Sequence, residues 1–327
     1  MRLWLASVVQ LLIEKNQMRF NPLISRILFV LFTLVLSSST ELTAQDSQSQ
    51  TPTFRTEVEV VNILCTVRQG DRYVTDLTRE NFEIFEDGVK QEIQYFGLEA
   101  GEDAQPLNVV LLIDTSGSVK DKLFFEQEAA NVFLQETLRK NKDLAAVVQF
   151  DSEINLAQDF TYDLRLLENS IEDIRAGGAT KLYDAIYLAV DELLRHEVGR
   201  RLMVVLSDGD DTQSVTKDDD AIKLAQEQDV LIFGVGIKGG RSRANFGKLE
   251  EFAKETGGMF FNSKARLDQL EQAFRKINQA IKSQYSIGYV SSNPQKDNAF
   301  REIVVKVAGK GLKVSHRKGY YGEKSEP

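Results

Sequence analysis

Apolar residues run without interruption at 109–113 (VVLLI), 145–148 (AAVV), 202–206 (LMVVL) and 230–233 (VLIF). Each run is too short for a helix and too continuous for a strand with one wet face, so each predicts a strand covered on both sides. A shorter run at 259–261 and a weaker alternation at 154–160 predict two more strands. Between these runs the spacing changes. Leu182, Ala185, Ile186, Ala189, Val190, Leu193 and Leu194 fall on one face of a helix, as do Leu270, Phe274, Ile277 and Ile281 within 267–281. Strands alternating with helices from 106 to 282 predict an α/β architecture: a doubly wound, mainly parallel sheet with helices on both faces.

The flanks follow a different rhythm. Val58 and Val60 alternate, the phase slips at Val61, and Ile63, Cys65 and Val67 continue it, which predicts a bulged strand. Phe82 and Ile84 precede Asp87-Gly88, and Val89 and Ile93 follow, which predicts a hairpin. After Gln284 the chain returns to β patterning in QYSIGYV, REIVVKVAG and LKVSHRKGYYG. The segments 54–98 and 284–321 are each too small to bury a core alone. The expectation is that they pair into one small sandwich with the α/β domain inserted between them.

The amino terminus reads as an export signal. Arg19 and Arg26 precede the apolar run 27–36, and Leu42-Thr43-Ala44 supplies a small-residue cleavage site before Gln45. Met18 makes a more natural start than Met1, and the apolar run is too short to span a bilayer. Residues 45–53, rich in Ser and Gln, read as a solvated linker. An exported location, in the periplasm, at the cell surface or secreted, is therefore expected. The chain has one cysteine, so no intramolecular disulfide can form, and Cys65 reads as a buried strand residue. A net charge of −9 without a concentrated basic face excludes a nucleic-acid partner.

The candidate chemistry sits where strands end. Asp114-x-Ser116-x-Ser118 follows the first α/β strand, Gly177-Gly178-Ala179-Thr180 opens the helix near Leu182, and Ser207-Asp208-Gly209 follows LMVVL. Ligands of doubly wound sheets bind at the carboxyl ends of strands. Carboxylates and hydroxyls without thiol or imidazole suit a hard cation such as Mg²⁺ and disfavour zinc. Taken singly, Asp114 and Thr180 also fit as helix caps and Asp208 as a turn residue; His196 and His316 read as structural or solvated.

Together, in this order and on these elements, the three clusters resemble the metal-ion-dependent adhesion site of von Willebrand factor type A domains, over about residues 106 to 282. That resemblance implies a Rossmann-like domain in which Asp114, Ser116, Ser118, Thr180 and Asp208 hold Mg²⁺ or Mn²⁺. It also implies an open coordination position that takes an Asp or Glu from a protein partner. The flanking segments are similar to exported VWA-related proteins described from Acidobacteria. The expected function is an exported, metal-dependent protein-binding module and not an enzyme, because no G-x-S-x-G, P-loop or H-E-x-x-H is present. The alternatives are an envelope-assembly component with a stabilising metal and a metal-assisted hydrolase or phosphotransferase.

Overall fold

The computed structural model describes residues 60–238 and 245–322, all within one structural unit. The expected signal segment (1–44), the linker (45–53) and the first residues of the amino-terminal β segment lie outside the described residues. In chain order the strands are β1 (Val60–Gln69), β2 (Arg72–Tyr73), β3 (Phe82–Glu86), β4 (Val89–Gln91), β5 (Ile93–Leu98), β6 (Leu107–Asp114), β7 (Leu144–Phe150), β8 (Ile154–Thr161), β9 (Arg200–Ser207) and β10 (Val230–Lys238), followed by β11 (Phe260–Lys264), β12 (Gln284–Val290), β13 (Phe300–Val307), β14 (Leu312–His316) and β15 (Gly319–Tyr321). The α-helices are α1 (Leu123–Thr137), α2 (Leu164–Glu172), α3 (Leu182–Leu188), α4 (Asp218–Glu227), α5 (Gly247–Thr256) and α6 (Leu267–Ile281).

The central sheet has the order β11-β10-β9-β6-β7-β8, parallel throughout except for β8, which runs antiparallel to β7. The apolar runs have the double-faced burial that their continuity predicts. Leu107, Val109, Leu111 and Ile113 of β6 join a core with α1, α2 and α6, while Val110 and Leu112 face α3, α4 and α5. On the first side Phe133 of α1 stacks on Phe274 of α6 at 4.8 Å between ring centroids. The helical spacing from Leu182 onward does not make one continuous α-helix. It stays α-helical to Leu188, passes through a π turn at Ala189–Leu193 and ends in a 3₁₀ turn at Leu194–His196.

The two flanks are interleaved strand by strand. In one sheet, β12 lies between β1 and β5, and β14 and β2 pair with β1; in the other, the order is β15-β13-β3-β4. Their facing surfaces share one core, which includes Val61, Ile63, Cys65 and Val67 from β1, Phe82 and Ile84 from β3, Tyr285, Ile287 and Tyr289 from β12, and Ile303 and Val305 from β13. Burial pushes the Cys65 thiol up to about 12, as befits a packed strand residue. The Asp87-Gly88 turn, with both residues at positive φ, closes the β3–β4 hairpin. Two expectations need correction. Ile93 leaves the hairpin and crosses to the other sheet as the first residue of β5. Pairing of β1 with β12 is unbroken from Val60 to Thr66, so no bulge occurs at Val61; Val60 simply points to solvent.

His316 is buried at the end of β14, and its ring is held in one tautomer. Nδ1 donates to the Arg317 carbonyl at 2.6 Å, and Nε2 accepts the Val305 N–H at 3.3 Å. Burial lowers its pKa below the ordinary histidine value. The folded state therefore binds fewer protons than the unfolded state at mildly acidic pH. The stabilisation from neutral His316 is fully present above about pH 6.5 and is lost as pH falls toward the folded value. Thermal melts at neutral pH and near pH 5 should show a larger acid-induced drop for the wild type than for His316→Asn; equal drops would contradict this.

Candidate metal centre

β6 and β9 are neighbours at the point where the strand order reverses, so the loops leaving their carboxyl ends open a crevice. Asp114 is the last residue of β6 and is fully buried. Its Oδ1 accepts the Ser116 N–H at 2.9 Å and its Oδ2 accepts the Ser207 hydroxyl at 2.7 Å, which fixes the carboxylate between the two loops. The chain then makes a short 3₁₀ turn at Gly117–Val119, which brings the Ser116 and Ser118 hydroxyls to 3.0 Å from each other. α1 starts only at Leu123, so Asp114 acts as the pivot of a turn and not as the cap of that helix.

The Gly177–Thr180 loop is docked onto this turn through its backbone. Gly117 N–H donates to the Gly178 carbonyl at 3.1 Å, and Gly177 N–H donates to the Thr115 carbonyl at 2.6 Å. Gly178 takes φ +86, and a Cβ there would stand 2.6 Å from the Ser152 hydroxyl, so this close approach requires glycine. Thr180 is buried and does not cap α3, whose first flanking residue is Lys181. Its N–H donates to the Thr212 hydroxyl at 3.0 Å, and its carbonyl accepts the Thr212 and Gln213 N–H groups, which ties this loop to the one after β9. All three loops carrying Asp114, Ser116, Ser118, Thr180 and Asp208 are thus bound to one another.

Asp208 is the least satisfied member. It is 1% exposed, and neither Oδ1 nor Oδ2 has a hydrogen-bond partner. Gly209, at φ +86, turns the chain where a Cβ would meet the Asn245 carbonyl at 2.4 Å. The nearest cation is Lys122, whose Nζ stands 3.9 Å from Asp208 Oδ2 and donates instead to the Ile237 carbonyl at 3.1 Å. Burial, ahead of the neighbouring Asp208 charge, pushes the Asp114 carboxyl up to about 6.

Two further side chains belong to this environment, and the motif did not reveal them. Glu126 is fully buried in α1, and both of its carboxyl oxygens lack partners. Burial first, then the charges of Asp114 and Asp208, hold its pKa well above the usual carboxylate range against the opposing effect of Lys122. The available signal was spacing: Glu126 sits where Ala129, Ala130, Phe133 and Leu134 mark a buried helix face. Asp151, just beyond β7, anchors the Asp114 loop by accepting the Thr115 hydroxyl at 3.3 Å.

Isolated carboxylates buried without partners are costly, so the arrangement suits a compact positive charge. Among the described residues no three His, Cys, Asp or Glu side chains form a metal-holding group, so a cation here has to draw on hydroxyl oxygens as well. The orphaned oxygens of Asp208, the fixed Asp114 carboxylate and the paired serine hydroxyls fit a hard, oxygen-seeking ion. The rim stretch 239–244 lies outside the described residues, whereas the other rim segment is ordered by its own acids. Asp211 accepts the Ser214 hydroxyl at 2.6 Å, and Asp184 accepts the Thr216 N–H at 2.8 Å.

Comparison with known proteins agrees with this architecture. A curated uncharacterized protein from Borreliella burgdorferi (strain B31) is 24% identical over 244 residues, covering 66% of this chain. The chain spans 64% of that relative's length. Among solved structures, proximal thread matrix protein 1 from the mussel byssus superposes with a TM-score of 0.50 at 14% identity, covering 60% of this chain and 51% of that one. The conserved hypothetical protein BatB from Bacteroides thetaiotaomicron does so with a TM-score of 0.46 at 19% identity, covering 54% of this chain and all of that one. A family model for the von Willebrand factor type A domain matches residues 108–305, more than half of the sequence and all three loops of the crevice, and the chain therefore belongs to the von Willebrand factor type A domain family.

Proposed function

We propose that this protein is an exported, metal-dependent protein-binding module. Asp114, Ser116, Ser118, Thr180 and Asp208 hold Mg²⁺ or Mn²⁺, and the site captures an Asp or Glu side chain of a partner. The observation that carries this reading is the pair of unpartnered, buried oxygens of Asp208 beside the fixed carboxylate of Asp114, at the switch point of the sheet. A bound ion would supply a positive point with a coordination position open to an outside carboxylate oxygen.

The chain's own residues prepare that position. Ser207 and the Ser116 N–H keep Asp114 from swinging away. The backbone links of Gly177 and Gly117 hold the Thr180 loop against the serine turn, and Lys122 offsets part of the acid charge until a cation arrives. The two histidines stand away from this crevice, His316 in the sandwich and His196 in the 3₁₀ turn after α3, which favours binding over acid–base catalysis. Among the described residues no helix is long and apolar enough to cross a membrane.

The test is a pull-down from native envelope with the full chain, run in magnesium and in chelator. A partner retained in magnesium and released by chelator is the expected result, and Asp114→Ala should lose it. Retention that is indifferent to metal would reject the adhesive reading. Metal-induced stabilisation with no metal-dependent partner would favour the structural alternative.

A further inference from the structure

The sandwich is seated against the opposite end of the central sheet, where β9 and β10 begin. A cavity of about 160 Å³ lies at this junction, and three of its walls are arginines: Arg200 and Arg201 opening β9, and Arg317 between β14 and β15. Asp229 is its single acid. In a protein of net charge −9, three cations around one small cavity with one carboxylate is a local excess that packing alone does not require.

The partners of these arginines leave that excess largely unneutralised. The Arg200 side chain is 6% exposed. Its Nη1 donates to the Ile281 carbonyl at 3.1 Å and to Gln284 Oε1 at 3.2 Å, both neutral, and its closest carboxylate, Glu99, is 4.0 Å away. The Arg317 side chain is 10% exposed. Its Nη2 donates to the Asn62 carbonyl at 2.8 Å, and its Nη1 pairs with Asp229, whose side chain is 58% exposed. Arg201 donates to the carbonyls of Glu197 and Gln228. The Nε atoms of Arg200 and Arg317 are both buried with no hydrogen-bond partner. Burial lowers the pKa of all three groups, that of Arg317 to about 10, which is the expected electrostatic sign of cations awaiting a counter-charge.

We propose that this cavity binds a tetrahedral oxyanion, a phosphate or sulfate group, between Arg200 and Arg317, with Arg201 adding charge. A water occupies about 30 Å³, so the cavity holds roughly five heavy atoms, the number in phosphate or sulfate. Two guanidinium groups reaching in from separate layers suit an anion whose oxygens point in all directions, and planar guanidinium forks match such oxygens well. Asp229 is then a built-in competitor that occupies Arg317 until the ligand displaces it. The source is either the free ion or the phosphate end of a small ester, and either would pin the sandwich to the α/β layer.

The experiment is calorimetric titration of the full chain with inorganic phosphate, in chelator to keep the metal centre out and at constant ionic strength set with chloride. Glycerol phosphate is run as a second arm. Binding near one equivalent, with a rise in melting temperature absent for chloride, is expected. Asp229→Asn removes the competing charge and keeps a residue type tolerated at φ +53, and it should tighten phosphate binding roughly fivefold. Arg201→Gln, at a half-buried position less prone to misfolding, should weaken it by a similar factor. Tighter binding of the ester than of the ion identifies an organic phosphate, and the reverse identifies the free ion. A phosphate response no different from chloride in both the wild type and Asp229→Asn overturns the proposal, as does binding that neither variant alters.

Discussion

Asp208→Asn should abolish the response to magnesium without harming the metal-free fold. At a metal concentration a hundredfold above its dissociation constant, a ligand specific for the native state adds about 2.7 kcal/mol. In a chain of this size that raises the melting temperature by roughly 5–10 °C. Asp208 contributes two buried oxygens that no donor satisfies, so the carboxylate is a liability in the absence of a cation and its loss removes a buried charge. In chelator, therefore, the variant should melt at or above the wild-type temperature; in magnesium it should melt below it. This crossing is diagnostic, because a merely structural residue would lower both melts. An undiminished metal-induced rise in the variant would remove Asp208 from the site.

The second large effect is expected far from the crevice. Glu86, 2% exposed at the end of β3, accepts the Tyr289 hydroxyl at 2.7 Å, the Tyr320 hydroxyl at 3.0 Å and the Ser291 hydroxyl at 2.5 Å, and it stands 3.8 Å from the buried Arg301 guanidinium. Truncating it strands a cation and three hydroxyls at once. Removing one partner of a buried ion pair costs about 3–5 kcal/mol, so Glu86→Ala should melt more than about 6 °C below the wild type. Glu86→Gln keeps the acceptor geometry without the charge and should fall between the two. A loss below about 1 kcal/mol for Glu86→Ala would mean that Arg301 is satisfied by the carbonyls of Asn293 and Gln295 alone.

These two sites differ in how far the sequence exposed them. The crevice was legible because the continuous runs ending at Ile113 and Leu206 place their next residues at strand ends, and Asp114 and Asp208 are those next residues. Order along the chain was enough. The interleaving of the flanks was legible as a need for partners, since neither segment could bury its own apolar face. The pairing itself, β12 between β1 and β5, depends on contacts between residues some two hundred positions apart.

Lys122 and Glu126 were hidden for a different reason. A charged residue in the first turn of a helix usually faces water, and only the rotation of α1 against the sheet turns these two inward. The arginines of the junction cavity were hidden by distance along the chain, because Arg200 begins a central strand while Arg317 lies near the carboxyl terminus. The π turn after Leu188 preserves the apolar face that an unbroken α-helix would show, so spacing could not reveal it.

The placement of β12 has a consequence for how the protein comes into being. During synthesis β1 and β5 emerge early, yet the strand that belongs between them follows only after the whole α/β body has been made. Until then their unpaired edges and apolar faces stand open to one another and to neighbouring nascent chains. This order of assembly makes the amino-terminal strands clients for a holding chaperone, and it leaves closure of the sandwich as the last and slowest event of folding.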